Sequence, residues 1–194
     1  MKFVLASKNK HKAEEIKSIL GSDFEIITQD EAGFFGEVIE DGKTFEENAI
    51  KKAETIMNEI NLPTIADDSG LCVKALGGAP GIYTARFAGE NATDDENISL
   101  LLNKLKDVPK EERDAEFVCV IALAVPNKET LTFKGKCEGR ILFEKMGESG
   151  FGYDPVFYTP VFEKSLAEIS ADEKNSISHR FCALKAFKDY LNKE

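Results

Sequence analysis

The sequence predicts a mixed α/β fold with a cleft between two lobes. Short apolar runs of strand length alternate with segments whose apolar residues recur at helical spacing. The longest apolar run, Phe117 to Val125 within 115–125, reads as a central strand buried on both faces. Polar clusters stand beside the connections, at 7–12, 67–70, 150–154 and 174–180. At 194 residues the chain can bury one sizeable core. It shows no repeat and no low-complexity linker, so residues 1–194 are read as a single two-lobed domain.

Lys2 to Ala6 is a short apolar run and the first expected strand. The polar stretch Ser7 to Lys12 follows, and then Ala13, Ile16, Ile19 and Leu20 mark a helix that Gly21 ends. Phe24 to Thr28 reads as a second strand. Gln29 to Lys43 is polar and punctuated by glycine, and it carries Glu40 and Asp41. Thr44 and Glu47 have the spacing of a capping box. Behind them Ala49, Ala53, Ile56, Met57 and Ile60 form the apolar stripe of a helix. Asn48, in its first turns, is either solvated or directed into a cleft.

Thr64-Ile65-Ala66 runs into Asp67-Asp68-Ser69-Gly70, where the backbone is expected to turn. Leu71 to Val73 resumes an extended pattern before the turn Gly77 to Gly81. Thr93 and Glu96 make a second capping box, before a helix with Ile98, Leu101, Leu102 and Leu105 on one face. After the central strand, Leu131 through Ile141 returns as the second arm of a long antiparallel hairpin, one side exposed or used by a partner subunit. Val156 to Tyr158 is another strand, and Glu163 to Ile169 reads as a short helix. The last helix is amphipathic, with Phe181, Leu184, Phe187 and Leu191 on one face.

Composition narrows the function classes. Hydrophobic residues make up 42% and charged residues 31%, with a net charge of -10. An acidic chain is a poor ligand for a nucleic acid polymer, which needs lysine and arginine on its phosphates. No run approaches the ~20 apolar residues of a membrane span. Cys72, Cys119, Cys137 and Cys182 are scattered, without the C-x-x-C spacing of a zinc site. The apolar segment at the N-terminus is too short for a signal peptide, so a cytoplasmic protein is expected.

Against that acidic background the clusters carry distinct chemistries. Lys8, Lys10 and Lys12 gather at a helix N-terminus, where free N–H groups and the macrodipole favour an anion. The glycines of a P-loop are missing. Asp67 and Asp68 read either as a solvated turn or as oxygen ligands for a hard cation, one of them able to take a proton from water. Adjacent strand residues face opposite ways, so the two acids are expected to be unequal, one facing water and metal and the other supporting the site from behind or facing another part of the cleft. Phe151 and Tyr153 alternate with glycines and either suit stacking on a planar base or fold into the core, while Asp154 can accept from a base N–H or fix a neighbour. Lys174, Ser176, Ser178, His179 and Arg180 precede the last helix, and Arg180 offers a planar fork for a phosphate or a base carbonyl. A nucleoside triphosphate needs all four clusters.

Taken in order, these motifs resemble the inosine triphosphate pyrophosphatase family, the house-cleaning dITP/XTP pyrophosphatases. The resemblance rests on Ser7 to Lys12 with Glu15, Thr44-Phe45 through Ala49, Ala66 to Leu71, Gly77 to Gly81 through Arg86, Gly150 to Pro155, and Ser178-His179-Arg180. One departure stands out: Lys8 occupies a position where glycine is usual, and it is expected to point away.

The resemblance implies a homodimer of elongated two-lobed subunits, a mixed sheet flanked by helices, and an active-site cleft between the lobes. It implies Mg²⁺-dependent hydrolysis of ITP, dITP or XTP to the monophosphate and pyrophosphate. By position, Asp68 would be the general base, with Glu40 and Asp68 at the metal. Ser7, Lys8, Asn9, Lys10, His11, Lys12, Ser69, Phe151, Gly152, Tyr153, Asp154, Lys174, His179 and Arg180 would bind substrate. Lys12 and its neighbours would stabilise the departing pyrophosphate. Two other classes fit the same clusters: a nucleotide-binding regulatory module without turnover, and a phosphatase that releases orthophosphate.

Overall fold

The computed structural model describes residues 2–193, apart from the side chain of Asp23. In chain order the main elements are β1 (Lys2–Ala6), α1 (Lys10–Leu20), β2 (Glu25–Thr28), α2 (Phe45–Ile60), β3 (Thr64–Val73), α3 (Asp94–Lys104), β4 (Asp114–Ala124), β5 (Leu131–Ile141), β6 (Phe157–Thr159), β7 (Lys164–Ser165), α4 (Ala171–Ile177) and α5 (His179–Leu191). The strands form one sheet in the order β2-β1-β3-β4-β5-β6-β7. The sheet is mixed, as expected: β1 pairs in parallel with β2 and β3, while β6 pairs antiparallel with β5 and β7.

Two compact units divide the chain. The first comprises Met1–Asp68, Cys119–Gly135 and His179–Glu194, the second Ser69–Val118 and Lys136–Ser178. Strands β3, β4 and β5 each change unit part-way along.

In the first unit the period-2 alternation of a strand sorts the core into two clusters. Phe3, Leu5, Ile65, Cys119, Ile121 and Leu123 pack with Ile16 and Leu20 of α1 and with Ala183, Leu184 and Phe187 of α5. Their strand neighbours Val4, Ala6, Ala66, Val120, Ala122 and Ala124 pack with Ala49, Ala53 and Ile56 of α2. The strands are therefore covered on both faces, which is why β1 and β4 read as nearly unbroken apolar runs. Gly135 permits the close approach of α5 to β5: a Cβ there would collide with the His179 carbonyl and the Ala183 amide.

The second unit has one cluster, in which Leu71, Val73, Ala115, Phe117, Cys137 and Ile141 meet Ile98 and Leu101 of α3, its C-cap Leu105, and Tyr153, Val156, Phe157, Leu166 and Ile169. Its buried arginine is structural. Arg113 is 1% exposed and donates to the carbonyls of Leu105 (2.6 Å), Ile141 (2.8 Å) and Leu142 (2.7 Å).

Three expectations are corrected. The chain does not turn at Asp67-Asp68-Ser69-Gly70, because β3 runs through them from Thr64 to Val73. Turn-forming residue types are held extended there, with ion partners for both acids and sheet neighbours on both sides. Glu163 to Ile169 is not a helix: Glu163 adopts φ 56°, and Lys164–Ser165 joins the sheet as β7 against β6. Only half of the first capping box forms. Thr44 accepts from the Glu47 amide, but Glu47 reaches past it to the amide of Lys43 at 2.6 Å. The second box, Thr93 with Glu96, is complete, as is a third with Ser170 and Glu173 before α4.

Candidate active site

Because β3 stays extended through its acids, Asp67 and Asp68 point to opposite faces of the sheet. Asp67 follows the parity of Ile65 and falls on the side of α1 and α5. There Oδ1 meets the Lys12 ammonium at 2.6 Å, while Oδ2 accepts from Arg180 Nε at 2.9 Å and from the Cys119 thiol at 3.1 Å. Arg180 also pairs with Glu15. The Asp67 side chain is 0% exposed and that of Arg180 1%. Burial opposes the charge on Asp67, but Arg180 and Lys12 outweigh it and hold the carboxyl well below its ordinary value. The Cys119 thiol is driven the other way, by burial first and then by the Asp67 carboxylate, so it remains a donor. With two cations, Lys12 and Arg180, and two carboxylates, Asp67 and Glu15, the network is neutral.

Asp68 follows the parity of Ala66 and falls on the side of α2. Lys52 of α2 meets its Oδ1 at 3.2 Å, and the same ammonium reaches Glu40 Oε2 at 2.9 Å and the Asp67 carbonyl at 2.9 Å. Asp68 Oδ2 is buried and has no hydrogen-bond partner among the described residues. Burial pushes the Asp68 carboxyl up, Lys52 and Lys12 draw it down, Glu40 and Asp67 push it up again, and the balance lies at about 6. The adjacent acids are thus shifted in opposite directions, one locked as a carboxylate and the other poised near neutrality.

Glu40 arrives from the segment between β2 and α2, which is tied to α2 directly after it. The Gly42 amide donates to Asn48 Oδ1 at 2.8 Å, and Lys51 pairs with Asp41 at 2.5 Å. Asn48 is 1% exposed, so it is not solvated, and its Oδ1 anchors this segment. Glu40 and Asp68 are the two residues able to hold a cation here. Among the described residues no group of three or more His, Cys, Asp or Glu gathers for a metal. Two carboxylates suffice for Mg²⁺ when substrate phosphates complete the shell.

Of the N-terminal group, Asn9 caps α1 by accepting from the Lys12 amide at 3.1 Å, and Ser7 Oγ accepts from the Asn9 amide at 3.2 Å. Lys8, Lys10 and His11 are exposed, Lys8 as expected from its departure from the family pattern. His179 and Arg180 occupy the first turn of α5, both buried.

The remaining predicted residues belong to the second unit. Asp154 Oδ2 accepts from the Phe151 amide at 2.9 Å and from Lys174 Nζ at 2.6 Å. The Lys174 ammonium lies 4.5 Å from the centre of the Phe151 ring, a cation–π distance. Gly150, at φ 80°, has no room for a Cβ beside the Asp154 carboxylate. The Gly152 amide donates to Asp94 Oδ2 at 2.7 Å. Ser69, half-buried, begins this unit. Tyr153 departs from expectation. Its ring is 2% exposed within the core and its hydroxyl donates to the Thr84 carbonyl at 2.9 Å, so it presents no stacking face. Phe151 alone of the two aromatics stays half-buried.

Sequence reasoning missed Lys52 and Cys119. A signal for Lys52 was available: with Asn48 and Ile56 it lies at i, i+4 spacing on the buried face of α2, where a lysine requires an anionic partner. Cys119 carried no such mark inside an apolar run.

A cavity of about 700 Å³ opens on the second unit, among residues that include Cys72, Lys74, Glu116, Glu138, Arg140 and Tyr158. None of the residues lining it is a predicted site residue. Among the described residues no helix is long and apolar enough to cross a membrane.

Comparison with known proteins gives one consistent result. A dITP/XTP pyrophosphatase of Desulfotalea psychrophila is 51% identical over 188 residues, 96% of this chain and 83% of that protein. The dITP/XTP pyrophosphatase of Bacillus subtilis is 47% identical over 189 residues, covering 97% and 96%. The solved Ham1 protein of Staphylococcus aureus superposes with a TM-score of 0.91 at 46% identity, over 100% of this chain and 99% of that one. A HAM1 protein from Coxiella burnetii gives 0.91 at 41% identity, over 100% of both. The Ham1 family model matches residues 3–190, and the chain belongs to the Ham1 family.

Proposed function

We propose that the protein hydrolyses deaminated purine nucleoside triphosphates, ITP, dITP and XTP, to the monophosphate and pyrophosphate, and so clears aberrant purines from the nucleotide pool. The observation that carries this reading is the split aspartate pair, in a chain whose curated relatives are named dITP/XTP pyrophosphatases. With its carboxyl at about 6, Asp68 is mostly ionised at neutral pH yet basic enough to accept a proton. It orients a water and takes its proton as the water oxygen bonds to the α-phosphorus. The bond from that phosphorus to the bridging oxygen breaks, and pyrophosphate leaves with the electron pair.

The donor set fits Mg²⁺, with carboxylate oxygens from Glu40 and Asp68 and Oδ2 of Asp68 lacking a protein partner. When bound, Mg²⁺ would neutralise phosphate charge that otherwise repels Asp68. Lys12, fixed by Asp67, faces the phosphates together with Ser7 to His11 and Ser69. Phe151 with Gly152 and Asp154 forms the base subsite and His179 completes the substrate contacts, while the buried Arg180 acts through Asp67, which fixes Lys12. Lys174 has only donors to offer. It suits the acceptor oxygen of a 6-oxo purine better than a 6-amino group, which is itself a donor.

We further read the protein as a cytoplasmic homodimer. The open cavity on the second unit, with its mixed charges and Tyr158, supports a partner subunit on that face. Light scattering of the purified protein checks the dimer.

The deciding experiment assays ITP, dITP, XTP, ATP and GTP with Mg²⁺, measuring pyrophosphate and orthophosphate separately. Pyrophosphate from the 6-oxo substrates, abolished in Asp68→Asn with nucleotide binding retained, is expected. Orthophosphate as the product, or binding without turnover, would replace this reading with one of the other two classes.

A further inference from the structure

We infer that Lys52 is a resident cation that holds the Glu40–Asp68 pair in the nucleotide-free protein, and that a divalent cation binds there only by displacing it. The inference rests on the metal reading above. The Lys52 ammonium has three hydrogens and three acceptors, Glu40 Oε2 at 2.9 Å, the Asp67 carbonyl at 2.9 Å and Asp68 Oδ1 at 3.2 Å. Its side chain is 11% exposed, so the charge is not there for solubility. One ammonium engages one oxygen of each carboxylate, and of the two oxygens left over Asp68 Oδ2 is buried without a partner. A cation that draws on Glu40 and Asp68 together must sit between the two carboxylates that Lys52 now bridges. Ammonium and metal would then stand within ~4 Å of each other in a partly buried site, where like charges are poorly screened.

The exchange also suits the charges. Two carboxylates and one ammonium leave the site at -1, which a divalent cation in place of the ammonium would neutralise. A nucleoside triphosphate arriving with its metal supplies the cation the carboxylates need and the anion the released ammonium needs. Free metal supplies only the first, and leaves Lys52 buried without a counter-charge. The cluster therefore selects the metal–nucleotide complex over either component, a preference set by one lysine on the apolar stripe of α2.

Mn²⁺ binding in the absence of nucleotide, followed by electron paramagnetic resonance, tests this. The unaltered protein is expected to bind Mn²⁺ weakly, Lys52→Met at least tenfold more tightly, and Lys52→Arg, which keeps the charge, like the unaltered protein. Equal affinity in the unaltered protein and Lys52→Met overturns the inference. A second measurement does not depend on any variant's folding. With Mn²⁺ and a non-hydrolysable ITP analogue bound to the unaltered protein, Lys52 Nζ should lie beyond ~4 Å from Asp68 Oδ1. Metal bound with that contact unchanged at 3.2 Å overturns it. The metal reading has its own control: Asp68→Asn should weaken Mn²⁺ binding in the presence of the analogue. If it does so while Lys52→Met gains nothing, displacement alone is wrong. If it leaves binding unchanged, the metal assignment falls.

Discussion

Replacing Arg180 with methionine would keep most of the side chain's volume and remove its charge from the most buried ion cluster in the first unit. The Asp67 side chain, 0% exposed, would retain Lys12 at 2.6 Å and the Cys119 thiol but lose the 2.9 Å contact with Arg180 Nε. Glu15 would lose a partner too, but at 15% side-chain exposure it can recruit water. Breaking a buried pair from one side costs about 3–5 kcal/mol, because the charge left behind stays desolvated. In a domain of this size that lowers Tm by roughly 6–20 °C. The pH dependence supplies a second check. Against its burial, Asp67 is held well below its ordinary carboxyl value by Arg180 and Lys12. The stability it contributes is present above the unfolded carboxyl value and is lost as pH falls through the lower folded value. The gap between the two proteins in urea denaturation should therefore be widest near neutrality and narrow toward about pH 3. A gap below about 1 kcal/mol at neutral pH, or one that widens in acid, would refute the reasoning.

Two further outcomes are expected. Because kcat/KM reports the free enzyme, it should fall about tenfold per pH unit on the acid side of Asp68's value of about 6 and level off above it; a flat profile down to about pH 5 would exclude Asp68 as the base. The same raised carboxyl works oppositely on the fold: its contribution is greatest below the unfolded value of 3.8 and is lost as pH rises past about 6. Tyr153→Phe should cost about 1–3 kcal/mol of stability, since the Thr84 carbonyl loses the hydroxyl at 2.9 Å, and should leave KM for ITP unchanged. A raised KM with unchanged stability would restore the ring to the base subsite.

Much of the fold was legible because burial writes itself into spacing. The run at β4, the stripe on α2 and the Thr93–Glu96 box all lie where the residues placed them. The failures share a cause. At 67–70, local turn preference was overruled by sheet neighbours and ion partners that come from distant parts of the chain. At 163–169, pairing with β6 set the conformation. Tyr153 looked like Phe151 in sequence, and only packing drew one ring into the core and left the other half-buried.

By itself, the sequence determined that Asp67 and Asp68 must differ, because side chains alternate along any extended strand. It also determined which residue types were present to hold phosphate, metal and base. Only the tertiary structure decided what made the two acids different. Arg180 lies 113 positions from Asp67 and Lys52 16 positions from Asp68. No local pattern records that α5 brings a cation to one face of β3 and α2 to the other. A carboxyl's proton affinity depends on its burial and on charges within a few ångströms. Those are properties of the packed chain, and they separate an acid locked as a carboxylate from one poised to take a proton.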